Sequence, residues 1–164
     1  MAELVSFELR GRVALVTMDD GKANALSFDM LAALHGALDR AEKEAQAMVL
    51  AGREGRFCAG FDLKTMMAGM ESATKLVSTG ADLYLRLYAL PLPVVAACTG
   101  HALAGGALLL LSSDTRIGQE GEFKIGLNEV AISMPLPVLA QELARDRLDK
   151  RHLTAAAIQA RIYT

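Results

Sequence analysis

The feature of this sequence with the clearest capacity for chemistry is a glycine-rich turn between two apolar segments. The uncharged run Val94–Cys98 is typical of a strand buried on both faces. Gly105 and Gly106 then open a second apolar run, residues 107–111, which is typical of a buried helix. The first turn of a helix carries free backbone N–H groups and the positive end of the helix dipole. The pattern therefore predicts a site for a developing negative charge, although glycines at a helix start also serve close packing alone.

The residues of this stretch exclude both a phosphate-binding loop and a membrane span. A P-loop requires Lys followed by Ser or Thr, whereas Gly105 is followed by Gly106 and Ala107. Asp, Glu, Lys and Arg are absent between Arg86 and Asp114, but two prolines and three glycines divide this interval. The resulting pieces are too short to cross a bilayer as one helix, so we expect core and no membrane contact.

A single carboxylate in an apolar run is the second candidate for chemistry. Glu129 lies within residues 127–135, where most neighbouring side chains are apolar. Apolar surroundings raise the pKa of a carboxyl group and bring it toward the useful range for a general base. On spacing alone, however, a glutamate in a loop is more often a solvated surface residue. The three histidines lack the spacing of metal ligands, so we expect no metal site.

The composition restricts the class of protein. A length of 164 residues predicts one domain, and 52% hydrophobic with 22% charged residues is typical of a folded globular chain. The net charge of −2 gives no support for nucleic acid or an anionic membrane as partner. The N-terminal residues lack the features of a signal peptide. Cys58 and Cys98 are therefore expected to be reduced thiols in a cytoplasmic protein.

Hydrophobic periodicity predicts alternating strands and helices. Residues 4–9 and 13–18 form an antiparallel hairpin in this prediction, and residues 53–57 form a polar turn. Ser27 and Asp62 are expected to cap helices. The remaining predicted strands are residues 47–51, 94–98 and 114–118, and the predicted helices are residues 28–45, 63–71, 72–90, 137–145 and 152–162.

Three motifs in order resemble the crotonase superfamily of enoyl-CoA hydratases and isomerases. They are the loop at residues 24–27 (Asn-Ala-Leu-Ser), residues 59–62 (Ala-Gly-Phe-Asp) and residues 104–106 (Ala-Gly-Gly). The resemblance covers residues 4–145 and implies an α/β fold, the ClpP-like spiral of ββα units. It also implies a core domain at residues 1–150. Residues 151–164 would be the start of a C-terminal helical region, and the rest of that region would be missing from the chain.

The resemblance assigns chemistry to three residues. In this family two backbone N–H groups form an oxyanion hole for the thioester oxygen of an acyl-coenzyme A, and by motif they belong here to Phe61 and Gly105. Hydratases of the family carry two glutamates, and the matching positions here are Glu129 and Leu108. A single glutamate suffices to move a proton from C2 to C4, so the resemblance favours the Δ3,Δ2-enoyl-CoA isomerase branch. The alternatives are a hydratase or another thioester reaction of the superfamily, and a non-catalytic acyl-CoA or protein-binding module.

The resemblance also implies contacts and assembly. Acyl-CoA is the expected partner, with no cofactor beyond the coenzyme A of the substrate. The residues expected at coenzyme A are Lys22, Ala23, Ala25, Ala59, Asp62 and Leu63, although Lys22 could equally be solvated. Three methionines, Met66, Met67 and Met70, are expected in the core, in a lid or along an acyl tunnel. Family members are trimers or dimers of trimers, so a homotrimer or a dimer of trimers is expected for the full-length chain.

Overall fold

Eight strands in two sheets organise residues 3–164, the part of the chain that the computed structural model describes. The strands are β1 (Val5–Arg10), β2 (Val13–Met18), β3 (Ala47–Gly52), β4 (Gly55–Cys58), β5 (Val94–Cys98), β6 (Gly100–Leu103), β7 (Thr115–Gly118) and β8 (Ile125–Gly126). The larger sheet has the order β1-β2-β3-β5-β7, and the smaller sheet has the order β4-β6-β8. β1 and β2 pair antiparallel, which confirms the predicted hairpin, and the other neighbouring strands pair parallel.

Helices cover these sheets. They are α1 (Phe28–Glu44), α2 (Leu63–Met66), α3 (Met70–Tyr88), α4 (Gly105–Ser112), α5 (Val138–Arg147) and α6 (Lys150–Ala157), with a short 3₁₀ helix at Val130–Ile132. Both predicted caps are confirmed, since the Ser27 hydroxyl accepts from the Met30 N–H and the Asp62 carboxylate accepts from the Thr65 N–H. A side-chain acceptor at this position satisfies a backbone donor that has no intrahelical partner.

The strands and helices repeat as ββα units. β3 and β4 precede α2 and α3, β5 and β6 precede α4, and β7 and β8 precede α5. In each unit the first strand joins the larger sheet and the second strand joins the smaller sheet. The chain therefore winds as a spiral between two sheets, as the resemblance implies. The second strands of the three units, β4, β6 and β8, run parallel, so their carboxyl ends lie side by side along one edge of the smaller sheet.

The polar turn predicted at residues 53–57 is wrong, because β4 occupies part of this segment. Gly55 and Arg56 pair with Gly100 and His101 of β6, a strand that the sequence did not predict. A Cβ at Gly100 would overlap the Gly55 backbone, so this glycine permits the close approach of the two strands. Both strands have only four residues and polar residues among them, which leaves too little alternation to recognise a strand.

The helices around the methionine cluster also differ from the prediction. α2 ends at Met66, and α3 begins at Met70, two residues earlier than expected. Gly69 lies between them with a φ of +138°, a conformation that side-chain-bearing residues rarely adopt. The break at Gly69 therefore separates two helices, where the sequence predicted an almost continuous helical run.

The last helix of the chain is shorter than predicted. α6 covers Lys150–Ala157 and not residues 152–162, and the Asp149 carboxylate caps it by accepting from the Arg151 N–H. Tyr163 forms two backbone hydrogen bonds of 2.9 Å with Ile125, so it extends beside β8. Ala160, with a φ of +49°, lies between the end of the helix and this pairing with β8, an interaction distant in sequence that periodicity cannot reveal. The division into residues 1–150 and 151–164 stays a prediction.

Burial along β5 is one-sided. Val94, Ala96 and Cys98 are buried, whereas Val95 and Ala97 between them are half-buried, so the strand expected to be buried on both faces has one less protected face.

Among residues 3–164, no helix is long and apolar enough to cross a membrane.

Candidate active site

The carboxyl ends of the three strands of the smaller sheet carry the predicted site residues. Phe61 follows β4, Gly105 follows β6 and Glu129 follows β8. The three strands are parallel, so their carboxyl ends lie along the same edge of the sheet. Ligands of open α/β sheets bind outside this edge of parallel strands. The topology therefore brings residues from three distant parts of the chain to one place.

The backbones at Gly60 and Gly105 approach each other closely. A Cβ built on Gly60 would lie 3.2 Å from the Gly105 nitrogen and 3.0 Å from the Ala104 Cβ. A Cβ built on Gly105 would lie 3.4 Å from the Gly60 Cα. Gly60 also has a φ of +92°, which favours glycine. Gly60 is therefore needed for the two segments to meet this closely, whereas a side chain at Gly105 would first meet the Tyr84 hydroxyl, 2.5 Å from its Cβ. The sequence motifs that contain the two glycines mark this contact.

The amides of Phe61 and Gly105 are free to act as donors. Within the described chain neither N–H donates a hydrogen bond to another protein group. Leu26 lies beside Phe61 in a parallel bridge, yet its hydrogen bonds are made with Gly60 and Asp62, at 2.8 and 3.1 Å. In a parallel bridge the residue between these two partners points its own N–H to the other side. The Gly105 N–H belongs to the first turn of α4, where no intrahelical acceptor exists.

Glu129 is a buried carboxylate with an unused oxygen. Its exposed fraction is 7%, and its Oε2 atom has no hydrogen-bond partner in the described part of the protein. Burial raises the pKa of this carboxyl group above its ordinary value, and only its own backbone N–H opposes the shift. Two backbone hydrogen bonds, from Ile132 and Met134 to the Glu129 carbonyl, hold the loop at 3.1 and 3.0 Å. Glu129 is therefore suited to take up and release a proton.

Leu108 lies in α4 with an exposed fraction of 4%. It lines a small apolar cavity of 20 Å³ together with Phe61, Tyr84 and three residues at the start of α5, among others. By the resemblance, this is the position where a hydratase of the family is expected to carry its other glutamate. An apolar side chain here supplies no second acid or base.

The loop expected to contact coenzyme A runs beside the segment after β4. The Ala59 N–H donates to the Ala23 carbonyl at 3.0 Å, and the Leu26 N–H donates to the Gly60 carbonyl at 2.8 Å. The structure thus brings Ala23 next to Ala59, and their contact with coenzyme A, like that of Ala25 and Asp62, stays a prediction. Ala59 is exposed, so its surface is accessible to a ligand.

Asn24 holds this loop in place and was not recognised from the sequence. It is completely buried, and its Nδ2 atom donates to the carbonyls of Met18, Arg56 and Phe57 at 2.9 to 3.1 Å. Its φ of +54° is one that Asn tolerates better than most residues. The turn-forming character of the loop was the available signal, but the distant acceptors could not be read from it.

Other predicted residues lie at the margin of the site. Lys22 and Leu63 are exposed, and the Lys22 carbonyl accepts from Arg53 at 2.7 Å. Met67 and Met70 are 84% and 83% exposed, which excludes the core for them, whereas Met66 packs against the core. A place in a lid or along an acyl tunnel stays a prediction for Met67 and Met70. Within residues 3–164, no group of three or more His, Cys, Asp or Glu side chains is arranged to hold a metal ion.

Comparison with known proteins identifies the family to which this fold and these motifs belong. The family model for enoyl-CoA hydratase/isomerase matches residues 8–161, so the chain belongs to this family. A probable enoyl-CoA hydratase of Bacillus subtilis is 35% identical over 126 residues, which cover 74% of this chain and 48% of that protein. The chain spans about half the length of the curated relatives it matches.

Solved structures confirm the α/β crotonase fold. An enoyl-CoA hydratase/isomerase family protein from Pseudomonas syringae is 45% identical, with a TM-score of 0.95 over 98% of this chain and 70% of that chain. The apo structure of an enoyl-CoA isomerase from Mycobacterium tuberculosis is 38% identical, with a TM-score of 0.94 over 99% of this chain and 71% of that chain. Since most related proteins are named hydratases, the predicted preference for the isomerase branch is not confirmed.

Proposed function

We propose that this protein shifts the double bond of a 3-enoyl-CoA to position 2, with Glu129 as the only base and the Phe61 and Gly105 amides as oxyanion hole. The observation that carries the proposal is the contact between the Gly60 and Gly105 backbones, at the sheet edge where the segment of Glu129 also begins. Membership of the enoyl-CoA hydratase/isomerase family makes an acyl-CoA thioester the expected substrate.

The reaction divides into two proton transfers. Glu129 removes a proton from C2, and the electrons of the C–H bond delocalise into the thioester, so negative charge collects on its oxygen. The two amides donate to this oxygen, and each donor of this kind typically contributes about 10²–10³ in rate. The protonated Glu129 then returns the proton at C4, and the double bond lies between C2 and C3. No other reactant is consumed.

One feature favours isomerisation over hydration, and a second suits Glu129 to proton transfer in either reaction. Addition of water to a double bond normally uses two carboxylates in this family, and the second position is occupied by the buried Leu108. Glu129 has a pKa raised by burial, so it exchanges protons more readily near neutral pH than an exposed carboxylate would. Its unpartnered Oε2 leaves one oxygen available for the substrate proton.

A hydratase is the second candidate, and the names of most related proteins favour it. In that case Glu129 would act on water together with a second acid or base that Leu108 does not supply. A non-catalytic acyl-CoA-binding protein is the third candidate. The homotrimeric assembly and the cytoplasmic localisation suggested by the sequence stay predictions.

A side-by-side assay distinguishes the candidates. Purified full-length protein is given 3-enoyl-CoA in one cuvette and 2-enoyl-CoA in another, and the conjugated thioester chromophore is followed. The proposal predicts that the chromophore appears in the first cuvette and persists in the second. Loss of the chromophore in the second cuvette without isomerisation in the first would establish a hydratase. Binding of acyl-CoA without either change would leave the non-catalytic alternative.

A further inference from the structure

Tyr84 of α3 is a buried polar group that the proposed mechanism does not use. Its exposed fraction is 2%, and its hydroxyl donates to the Gly105 carbonyl at 3.1 Å. The hydroxyl also lies where a side chain at Gly105 would begin, since a Cβ there would be 2.5 Å from it. Tyr84 therefore fixes the position of the residue whose amide is one of the two proposed donors.

α3 also contacts Phe61, whose amide is the other proposed donor. The Phe61 ring lies 6.3 Å from the Tyr84 ring, with an interplanar angle of 59°. The ring edge also fills the space over Gly80, one turn before Tyr84, where a Cβ would overlap two ring atoms. Phe61 is thus held by side-chain packing on α3, although its amide is the group that would act.

Ionisation of the Tyr84 hydroxyl is strongly disfavoured. Burial is the main cause that raises its pKa well above the ordinary value, and the negative charge of Glu129 adds to this shift. The hydroxyl is therefore protonated near neutral pH and can donate its hydrogen bond to the Gly105 carbonyl.

From these contacts we infer that Tyr84 is a positioning residue, which sets the spacing of the Phe61 and Gly105 amides through its hydrogen bond to Gly105 and its packing on Phe61. The inference rests on the proposed function. Position matters because an oxyanion hole works by preorganised donors, and a displacement of about 1 Å can cost on the order of 10²-fold in rate. Without the hydroxyl, Gly105 keeps its helical hydrogen bonds but loses the side-chain contact that fixes its place relative to Phe61.

The test compares Tyr84→Phe with Tyr88→Phe in the full-length protein. Tyr88 lies on the same helix, and its exposed hydroxyl bonds to Asp146, away from the proposed site, so it is a matched control. Tyr84→Phe keeps the ring that packs on Phe61. We expect it to lower kcat for 3-enoyl-CoA by about 10- to 100-fold with KM changed less than about threefold, whereas Tyr88→Phe leaves both constants unchanged.

A spectroscopic measurement separates positioning from a merely structural role. The carbonyl stretching frequency of a saturated acyl-CoA, labelled with ¹³C at the thioester carbon, is recorded in complex with each protein. Two donors weaken the C=O bond, so the wild type should shift the band to lower frequency. Tyr84→Phe should bind the ligand with the same Kd and lose a large part of this shift, and Tyr88→Phe should retain it.

A second variant disturbs the packing of Phe61 on α3 without changing Tyr84. Gly80→Ala adds a Cβ where the Phe61 ring lies and leaves the Tyr84 hydroxyl in place. It should likewise reduce the carbonyl shift with Kd retained. If both variants keep the full shift and kcat, the inference about Tyr84 is overturned while the proposed function stands. If the wild type binds the ligand without any shift, the proposed oxyanion hole fails, and the inference fails with it.

Discussion

Gly60 and Gly105 lie so close that a Cβ on Gly60 would be only 3.2 Å from the Gly105 nitrogen. One follows β4 and the other follows β6, so the parallel pairing of these two short strands produces the contact. Because the contact is made by backbone, the chemistry depends on glycines and on sheet geometry more than on particular side chains. This property makes the proposed site sensitive to single added methyl groups.

Gly60→Ala should therefore reduce both activity and stability. The new Cβ would meet the Ala104 Cβ at 3.0 Å and the Leu103 carbonyl at 3.1 Å, and the φ of +92° adds strain. We expect kcat to fall at least about 100-fold and the free energy of unfolding to fall by about 1–3 kcal/mol. Enzyme assays and urea unfolding measure the two effects.

Gly11→Ala is the matched control for that variant. Gly11 also has a positive φ, +62°, but its Cβ would meet nothing within 4 Å. It should lose stability through strain alone and keep its activity. Equal loss of activity in the two variants would show that the approach of Gly60 to Gly105 is not what matters.

Glu129→Gln should abolish proton transfer and retain binding. The amide is nearly isosteric with the carboxylate but cannot accept a proton from C2. Removal of a general base typically costs about 10²–10⁴ in rate, so kcat should fall by that factor while the Kd of a saturated acyl-CoA stays the same. Glu122→Gln, at an exposed acid in the preceding turn, should have wild-type kinetics. Unchanged turnover in Glu129→Gln would exclude this residue as the base.

The same variant should change the dependence of stability on pH. Burial raises the pKa of Glu129 above its unfolded value near 4.5, so the folded state binds more protons in the window between the unfolded and folded pKa values. Stability is then lost as pH rises through that window. Glu129→Gln removes this loss, so it should unfold at a higher temperature than the wild type at pH 8.

Thermal unfolding between pH 4 and pH 8 measures this difference. The gap between Glu129→Gln and the wild type should shrink as the pH falls toward 4, where the wild-type carboxyl is protonated in both states. A gap that stays constant, or that widens at low pH, would contradict a carboxyl group whose charge is disfavoured by burial.

Asn24→Ala should destabilise the loop that runs beside the proposed coenzyme A site. The change removes the donors to Met18, Arg56 and Phe57 and leaves these carbonyls without that partner. Each buried group left unsatisfied costs about 1–3 kcal/mol, so we expect a loss of at least about 2 kcal/mol by urea unfolding. Lys22→Ala, at an exposed side chain of the same loop, should change stability by less than about 0.5 kcal/mol. Similar losses in both would argue against a special role of Asn24.

Much of the architecture was predictable because it depends on local signals. The hairpin of β1 and β2, the amphipathic α1 and the caps at Ser27 and Asp62 follow from alternation, helical spacing and capping chemistry. The two glycine motifs were visible as small residues that follow predicted strands, although β4 and β6, the strands that directly precede them, were not predicted. These features are encoded within a few residues of one another.

What the sequence did not reveal depends on partners distant in the chain. β6 is a four-residue strand that is recognised from its pairing with β4 and β8, and the bridge of Tyr163 to Ile125 joins the last segment to the smaller sheet. Tyr84 was not recognised because a tyrosine on the buried face of an amphipathic helix is indistinguishable from an ordinary core residue. Its significance comes only from the Gly105 carbonyl, which the fold places beside its hydroxyl.

Hydrogen exchange at C2 tests the central claim most directly, because it detects formation of the enolate itself. A 3-enoyl-CoA is incubated with the full-length protein in D₂O, and the C2 and C4 positions are followed by NMR. The proposed mechanism predicts 2-enoyl product whose C4 carries either the proton moved from C2 by Glu129 or deuterium that exchanged onto this carboxyl group, and neither product nor deuterium incorporation with Glu129→Gln. Complete absence of exchange and of product with the wild type, or equal exchange with Glu129→Gln, would contradict it.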